Sequence, residues 1–390
     1  MINKNKLKLI VEQFFDFPEY LNETKYYSSI SQRQPNNEIE EWQKQNNLNL
    51  KYINLTKFET LRKQKTTKFI LLEITLDHWS GGCGRLANQI WAFAIIYVWG
   101  LQTDRYPGYF NNKAFSCSTF KKSPSEMEKT FPVAHRIFAS FKPKEVEGDT
   151  IFHKEYNIND IIKTKEKYLR IHYPPQIHDL FKNVKNQVKE LYSFSYKIRT
   201  IVNKYINEIF SNDISHKLCI YTRLGDFGSL SAQHRRSRKD FSEESTKFVF
   251  NEIKREDKEI SLILLGADKE FLSELEFDGI KPKKVFIPKD MPRGQDIYFS
   301  TKICNSLIIT ASASTFGWWI ALEEGLKLAN IIAKEIPKAN NPIGRTGSEL
   351  IIIAFRAGER DCRGIEEEIN NFVEFSILLL FNKFVAKRRK

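Results

Sequence analysis

The segment Tyr221-Thr-Arg-Leu-Gly-Asp226 carries residue types that bind phosphate. Arg223 presents a planar fork of donors that can hold phosphate oxygens in pairs. Gly225 lets a ligand approach the backbone closely, and Asp226 can orient the arginine or cap the next turn. An ion pair between Arg223 and Asp226 at the end of a strand is the structural alternative, and the segment alone does not decide between the two.

The triplet Asp226-Phe-Gly228 also occurs in protein kinases, where its aspartate holds magnesium. The other kinase signatures are missing from the sequence. No His-Arg-Asp precedes the triplet, no Ala-Pro-Glu follows it, and Gly81-Gly-Cys-Gly84 does not have the spacing of the kinase glycine loop. The kinase interpretation is therefore rejected.

A second polar segment, Ser80-Gly-Gly-Cys-Gly-Arg-Leu-Ala-Asn-Gln-Ile90, places glycines directly before a predicted helix. Backbone N–H groups at such a turn can face an anion or a sugar. Without a Gly-Lys-[Ser/Thr] ending, the segment is not a P-loop. Gly84, Asn88 and Gln89 are its candidate ligand contacts. Because buried amides need partners, the two amide side chains either bind ligand or tie the helix to a neighbouring loop.

A third segment, Ala311-Ser-Ala-Ser-Thr-Phe-Gly-Trp-Trp319, joins a predicted strand to a predicted helix. Ser312, Ser314 and Thr315 bring hydroxyl and N–H groups to the start of that helix, where phosphate binds well. Ordinary capping of the helix by Ser314 or Thr315 is an equally good explanation.

Short apolar strands that alternate with helices must position these segments. A strand over 68–76 is followed by a helix over 85–100 that is apolar nearly all round and should be buried. A long helix or a helix pair is predicted over 183–210, whereas 101–182 shows no clear period. From 217 onward we predict strands over 217–222, 260–265, 284–288 and 306–310 and helices over 241–255 and 316–328.

This alternation predicts an α/β fold in which parallel sheets are covered on both faces. The 390 residues suffice for two domains, and we expect two Rossmann-like halves with a cleft between them. The predicted divisions are a stem or irregular N-terminal extension over 1–67, a first half over 68–212, a second half over 213–336 and a divergent tail over 337–390.

The net charge of +13 favours polyanions, anionic membrane surfaces or phosphate-bearing ligands. The cations are spread along the chain, with dense runs only at Arg235-Arg-Ser-Arg-Lys239 and at 387–390. Neither a nucleic-acid-binding module nor a basic stripe with aromatic residues is present, so we predict no nucleic-acid partner. Most of the charge is interpreted as solvated surface.

The five cysteines show no spacing typical of a zinc site. Cys219 and Cys304 fall in apolar stretches and are predicted to be buried free thiols. Neither the N-terminus nor the apolar stretch over 372–381 has the length of a membrane span, so no spanning helix is expected. Association with a membrane surface stays open.

Taken together, the three segments resemble the α-1,2-fucosyltransferase family (glycosyltransferase family 11), especially its nematode-like branch. Gly81–Gln89 is similar to the family's opening segment, and Tyr221–Asp226 to its central His-x-Arg-x-Gly-Asp segment. Ser312–Trp319 is similar to its late segment, with Asp296 upstream as in the family. The matches follow the family's order from about residue 70 to about residue 336.

The resemblance implies a GT-B-like fold and an inverting glycosyltransferase. Its first half would hold the acceptor and its second half GDP-fucose. Fucose would pass from GDP-fucose to a galactose hydroxyl of a glycan, forming an α-1,2 linkage. No metal or other cofactor is expected. The family also implies a location in the Golgi membrane or in the lumen of the secretory pathway.

The resemblance also implies roles for individual residues. Arg223 would neutralise the GDP leaving group. Asp226 is the first candidate for the general base, and Asp296 is the alternative. The remaining substrate-binding candidates are Gly84, Asn88, Gln89, Gly225, Ser312, Ser314, Thr315 and Phe316.

Two positions depart from the family pattern. Tyr221 stands where the family has histidine, and Leu224 stands where it often has a second arginine. The alternative function is therefore a catalytically silent relative that binds a GDP-sugar or a glycan.

Overall fold

The computed structural model describes residues 35–73, 85–110, 126–146, 150–153, 158–172, 180, 183–225, 227, 235–254, 259–311, 313–323, 326–327 and 352–356. They belong to two compact units. The first unit comprises residues up to 202 together with 293–295, and the second comprises 203–292 and the residues from 296 onward.

The first unit is built on a five-stranded parallel sheet with the strand order β3-β2-β1-β5-β4. Its strands are β1 (Phe69–Glu73), β2 (Tyr106–Phe110), β3 (Ala139–Phe141), β4 (Thr150–His153) and β5 (Tyr168–His172). Its helices are α1 (Pro35–Gln45), α2 (Leu55–Lys63), α3 (Leu86–Gln102), α4 (Glu126–Thr130), α5 (Pro132–Ile137), a 3-10 turn (Pro143–Val146), α6 (Ile158–Lys163), α7 (Lys185–Leu191) and α8 (Tyr196–Phe210), whose last turns lie in the second unit.

Helix α3 confirms the prediction for 85–100. It packs on β1 and β2 and is buried along most of its length, as its nearly continuous apolar sequence requires. No helix among the described residues is long and apolar enough to cross a membrane. The helix pair predicted over 183–210 is also present, as α7 and α8.

The stretch read as a stem or irregular extension contains α1 and α2. Phe58 and Leu61 of α2 pack on the apolar cluster of Phe69 and Tyr106. The Glu190 carboxylate accepts three backbone N–H groups from residues 51–53, at 2.5, 2.8 and 2.8 Å. These contacts depend on residues far along the chain, so the polar composition of the stretch gave no sign of them.

The second unit has a six-stranded sheet with the order β10-β11-β9-β6-β7-β8. Four strands run parallel, and β10 and β11 are antiparallel additions. The strands are β6 (His216–Tyr221), β7 (Ile260–Leu265), β8 (Lys284–Phe286), β9 (Ser306–Ile309), β10 (Leu326–Lys327) and β11 (Ile352–Arg356). The helices are α9 (Lys239–Lys254), α10 (Lys269–Glu274), α11 (Arg293–Ile303), of which 293–295 are assigned to the first unit, and α12 (Thr315–Glu323).

Every residue of β6 and β7 is buried, as expected for central strands covered by helices on both faces. The two units confirm the predicted α/β class with two Rossmann-like halves. Several details differ from the sequence prediction. Strand β8 ends at Phe286, where a strand to 288 was expected, and α10 and α11 were not predicted. Helix α12 ends at Glu323, where a helix to 328 was expected, and β10 follows it. Strand β11 lies within the region assigned to the divergent tail.

The prediction that Cys219 and Cys304 are free thiols is wrong, because they form a disulfide with a Cα–Cα distance of 5.6 Å. Both are buried, as predicted. Cys219 is paired in the sheet with Leu307 of β9, only three residues beyond Cys304. The chain therefore carries Cys304 past β6 as it passes from α11 into β9.

Replacing both cysteines, as Cys219→Ala with Cys304→Ala, should lower the free energy of unfolding by about 2–5 kcal/mol. The reason is that the bond closes a loop spanning 85 residues in the unfolded chain. Denaturant unfolding followed by circular dichroism measures the difference. Dithiothreitol should lower the stability of the wild type towards that of the variant and leave the variant unchanged. Equal stability of oxidised wild type and variant would contradict the prediction.

Candidate functional site

Two of the three predicted segments meet at the carboxyl edge of the second sheet. Arg223 and Gly225 follow β6, and Ser314, Thr315 and Phe316 follow β9. Strands β6 and β9 are parallel neighbours, with Tyr221 opposite Ile309, so both strands end at the same edge. This is the edge where open α/β sheets bind their ligands.

Tyr221 joins the two segments. Its carbonyl oxygen accepts hydrogen bonds from the Thr310 N–H at 3.1 Å and from the Thr310 hydroxyl at 3.0 Å. Its ring stacks on Phe316, with centroids 5.7 Å apart, and its hydroxyl accepts a 3.2 Å bond from the Ser314 hydroxyl. A β-carbon on Gly317 would lie 3.1 Å from the Tyr221 ring, a tighter contact than most β-carbons make, so glycine favours this close approach of α12. With 3% exposure, Tyr221 packs α12 against β6.

The backbone of Arg223 is fixed by Ser237. The Arg223 N–H donates to the Ser237 hydroxyl at 2.9 Å, and the Ser237 N–H donates to the Arg223 carbonyl at 2.8 Å. The Ser237 hydroxyl also lies 2.7 Å from the Thr310 hydroxyl. The Arg223 guanidinium is 5.4 Å from the Phe227 ring centroid. Gly225 has a φ of +56°, which favours glycine and turns the chain sharply after the arginine.

Ser237 was missed by the sequence analysis. It lies in the basic run 235–239, fourteen residues beyond Arg223, and nothing in its type or spacing separates it from other surface serines. Its burial, with 3% exposure, and its three hydrogen bonds follow only from the fold.

Asp296 lies in the first turn of α11 and is partly buried. Burial raises the pKa of its carboxyl to about 6; Lys269 opposes this rise and Asp290 adds to it. Lys269 and Asp290, which follow β7 and β8, are 3.6 Å apart. The second unit therefore contains, in addition to its basic groups, a carboxyl group, that of Asp296, whose pKa lies near neutrality.

Of the other predicted site residues, some are described by the structure and some are not. Asn88 and Gln89 lie in the first turn of α3, with Gln89 buried and Asn88 partly buried. Gly84, Ser312 and Asp226 lie outside the described residues. The sequence analysis missed a two-bond ion pair between Glu73, the last residue of β1, and Arg170 in the neighbouring β5. Among the described residues, no group of three or more His, Cys, Asp or Glu side chains could hold a metal ion.

The contribution of the Tyr221 hydroxyl to the stability of the fold can be tested. Tyr221→Phe should lower the free energy of unfolding by about 1 kcal/mol, because the O–H of the buried Ser314 loses the acceptor to which it donates. Denaturant unfolding measures the change, and Tyr205→Phe, which removes a tyrosine hydroxyl bonded to the Lys289 N–H, is the matched control. Because the ring stays in place, GDP titration should give the same result for variant and wild type. Loss of GDP binding at unchanged stability would instead make the hydroxyl a ligand contact.

The raised pKa of Asp296 predicts a pH-dependent effect of Asp296→Asn. The folded state favours the neutral carboxyl, so stability is lost as pH rises from about 4 through the folded-state pKa of about 6. Asparagine avoids this loss. The free energy of unfolding of the variant, relative to wild type, should therefore rise by up to about 3 kcal/mol between pH 4 and pH 7.5. The exposed Asp278→Asn is the control, and a pH-independent difference for Asp296→Asn would refute the prediction.

No protein-family model matches the chain. A Caenorhabditis elegans protein with the provisional name galactoside 2-alpha-L-fucosyltransferase svh-11 is 25% identical over 249 residues, covering 60% of this chain and 65% of the relative. A second C. elegans protein, provisionally named glycosyltransferase C06E1.7, is 31% identical over 125 residues, covering 29% of this chain and 33% of the relative. The matches thus span less than two thirds of either relative.

Among solved structures, a mutant of Arabidopsis thaliana FUT1 in complex with GDP superimposes with a TM-score of 0.44 and 13% identity, covering 69% of this chain and 72% of that chain. The curated relatives confirm the resemblance carried by the three segments: the chain is similar in sequence to proteins named as a galactoside 2-alpha-L-fucosyltransferase and a glycosyltransferase.

Proposed function

We propose that this chain transfers fucose from GDP-fucose to a galactose hydroxyl of a glycan, with inversion and an α-1,2 linkage. The observation that carries the proposal is the fixed position of Arg223 at the carboxyl end of β6. Arg223 lies beside the residues that follow β9, 314–316, here called the β9 segment. The name of the C. elegans relative, a galactoside 2-alpha-L-fucosyltransferase, supports the choice of sugar and linkage.

Arg223 acts on the leaving group. When the bond between fucose C1 and the diphosphate oxygen breaks, negative charge develops on GDP. The guanidinium donates hydrogen bonds to the phosphate oxygens and stabilises that charge, a role that requires no metal ion. The group is partly buried and lies near the Phe227 ring. Its field is therefore less screened than that of a fully solvated cation.

The β9 segment contributes to nucleotide binding in this proposal. The hydroxyl of Ser314 already bonds Tyr221, so its role is to hold the segment in place. Thr315 and Phe316 are partly exposed at the start of α12. They are the residues that contact the nucleotide, through the threonine hydroxyl and the aromatic ring.

The acceptor hydroxyl must lose its proton as it attacks C1 from the face opposite GDP. A general base is most effective when its pKa lies near the working pH, and Asp296, at about 6, meets that requirement. We therefore assign Asp296 as the base, with Asp226 as the second candidate.

We further propose that the protein works in the lumen of the secretory pathway or at the Golgi membrane. The Cys219–Cys304 disulfide supports an oxidising compartment.

The second candidate function is a catalytically silent protein that binds a GDP-sugar or a glycan. Two observations favour it. The side chain of Tyr221, at the family's histidine position, is engaged in packing α12, and Leu224 adds no positive charge beside Arg223.

Arg223→Ala should weaken GDP binding by about 10- to 100-fold, the value of a charge-assisted hydrogen bond, and abolish fucose transfer. Arg223→Lys should retain part of the GDP affinity, because the charge remains while the planar fork is lost. Calorimetry with GDP and an assay of GDP release in the presence of galactose-ended acceptors measure the two effects.

The control for this experiment is Lys281→Ala, which removes an exposed cation ahead of β8, at the opposite edge of the same sheet. If the wild type binds neither GDP, GDP-fucose nor a galactose-ended glycan, both candidate functions fail. GDP binding without transfer to any acceptor would select the silent relative.

A further inference from the structure

The basic segment, defined here as residues 235–239, is attached to the donor site and is not merely solvated surface. Its central residue, Ser237, exchanges two hydrogen bonds with Arg223 and a third with Thr310, at 2.8, 2.9 and 2.7 Å. The segment is therefore fixed to the ends of both β6 and β9.

This attachment places the arginines of the segment close to Arg223. The Ser237 N–H donates to the Arg223 carbonyl at 2.8 Å, so the two backbones lie within direct hydrogen-bonding distance of each other. Arg236 directly precedes Ser237 in the chain, with Cα atoms about 3.8 Å apart. The side chains of Arg223 and Arg236 are long enough for both to reach one ligand.

The arginines of the basic segment differ in whether a nearby carboxylate compensates their charge. Arg238 forms a two-bond ion pair with Asp240, and that hydrogen-bonded arginine lowers the pKa of the aspartate. The charge of Arg238 is thereby compensated locally. Arg235 and Arg236 are both exposed.

The diphosphate of a nucleotide sugar carries more negative charge than one guanidinium can balance. Leu224, next to Arg223, contributes none of the missing positive charge. We propose that Arg235 and Arg236 bind the diphosphate together with Arg223, and that Ser237 and Thr310 position them. The inference rests on the proposed function and names further residues of the same donor site.

The test compares GDP, GMP and guanosine binding to the wild type and to the double variant Arg235→Gln/Arg236→Gln. Calorimetry, with competition against GDP for the weaker ligands, gives the affinities. GDP affinity should fall about 10- to 100-fold, as expected when charged hydrogen bonds are removed. The loss should be smaller for GMP and absent for guanosine, which has no phosphate. Lys281→Ala should bind all three ligands as the wild type does.

The outcomes separate this inference from the function on which it rests. If the wild type does not bind GDP, both are overturned. If the wild type binds GDP and Arg223→Ala does not, but the double variant binds GDP normally, only the inference is overturned. An equal loss for GDP and guanosine would also overturn it, because the two arginines would then have no specific role at phosphate.

The positioning role has its own readout. Ser237→Ala should lower GDP affinity about fivefold, the effect of losing one hydrogen bond, while guanosine binding is unchanged. Ser237→Thr keeps the hydroxyl and should restore the affinity. Failure of threonine to restore it, or a matching loss for guanosine, would show that Ser237 does not act through the arginines.

Discussion

The carbonyl oxygen of Tyr221 accepts two hydrogen bonds from Thr310 at the point where the pairing of β6 with β9 ends. From there the contacts continue from the Thr310 hydroxyl to Ser237 and from Ser237 to the backbone of Arg223. Two hydroxyl groups thus set the position of the arginine relative to β9. Buried polar groups in such a network are costly to leave unpaired, so its members depend on one another.

Packing on the other side of β6 completes the same arrangement. The buried Tyr221 ring stacks on Phe316 and lies close to Gly317, so these contacts pack α12 against the strand. A residue at a position that the family resemblance would place in the chemistry serves here in packing, with its hydroxyl bonded to Ser314. Under the proposed function, the chemistry at this edge then falls to cationic groups and to a carboxyl with a raised pKa.

The sequence predicted those elements whose signal is local. The six apolar residues of β7 and the all-round apolar pattern of α3 needed no tertiary information. Strands β2 to β5 were missed because the sequence over 101–182 shows no clear apolar period, and β2 contains Pro107 and Gly108, which are unfavourable in strands. The disulfide and Ser237 were missed because both depend on which strands are neighbours. The segments that contain Arg223 and Thr315 were recognised because each directly follows a predicted strand. The carboxyl ends of parallel strands lie at one edge of the sheet, where ligands bind.

The raised pKa of Asp296 shows what the sequence could not supply. The residue type fixes only the ordinary pKa, whereas burial in the first turn of α11 moves it to about 6. A carboxyl that is partly protonated near neutrality repels an incoming diphosphate less than a permanent carboxylate would, and it can still accept a proton once it ionises. The arginines act instead through the charge and the planar donor fork of the guanidinium and through their placement. Under the proposed function, donor binding therefore depends on residue type and hydrogen-bonded placement, while proton transfer depends on burial.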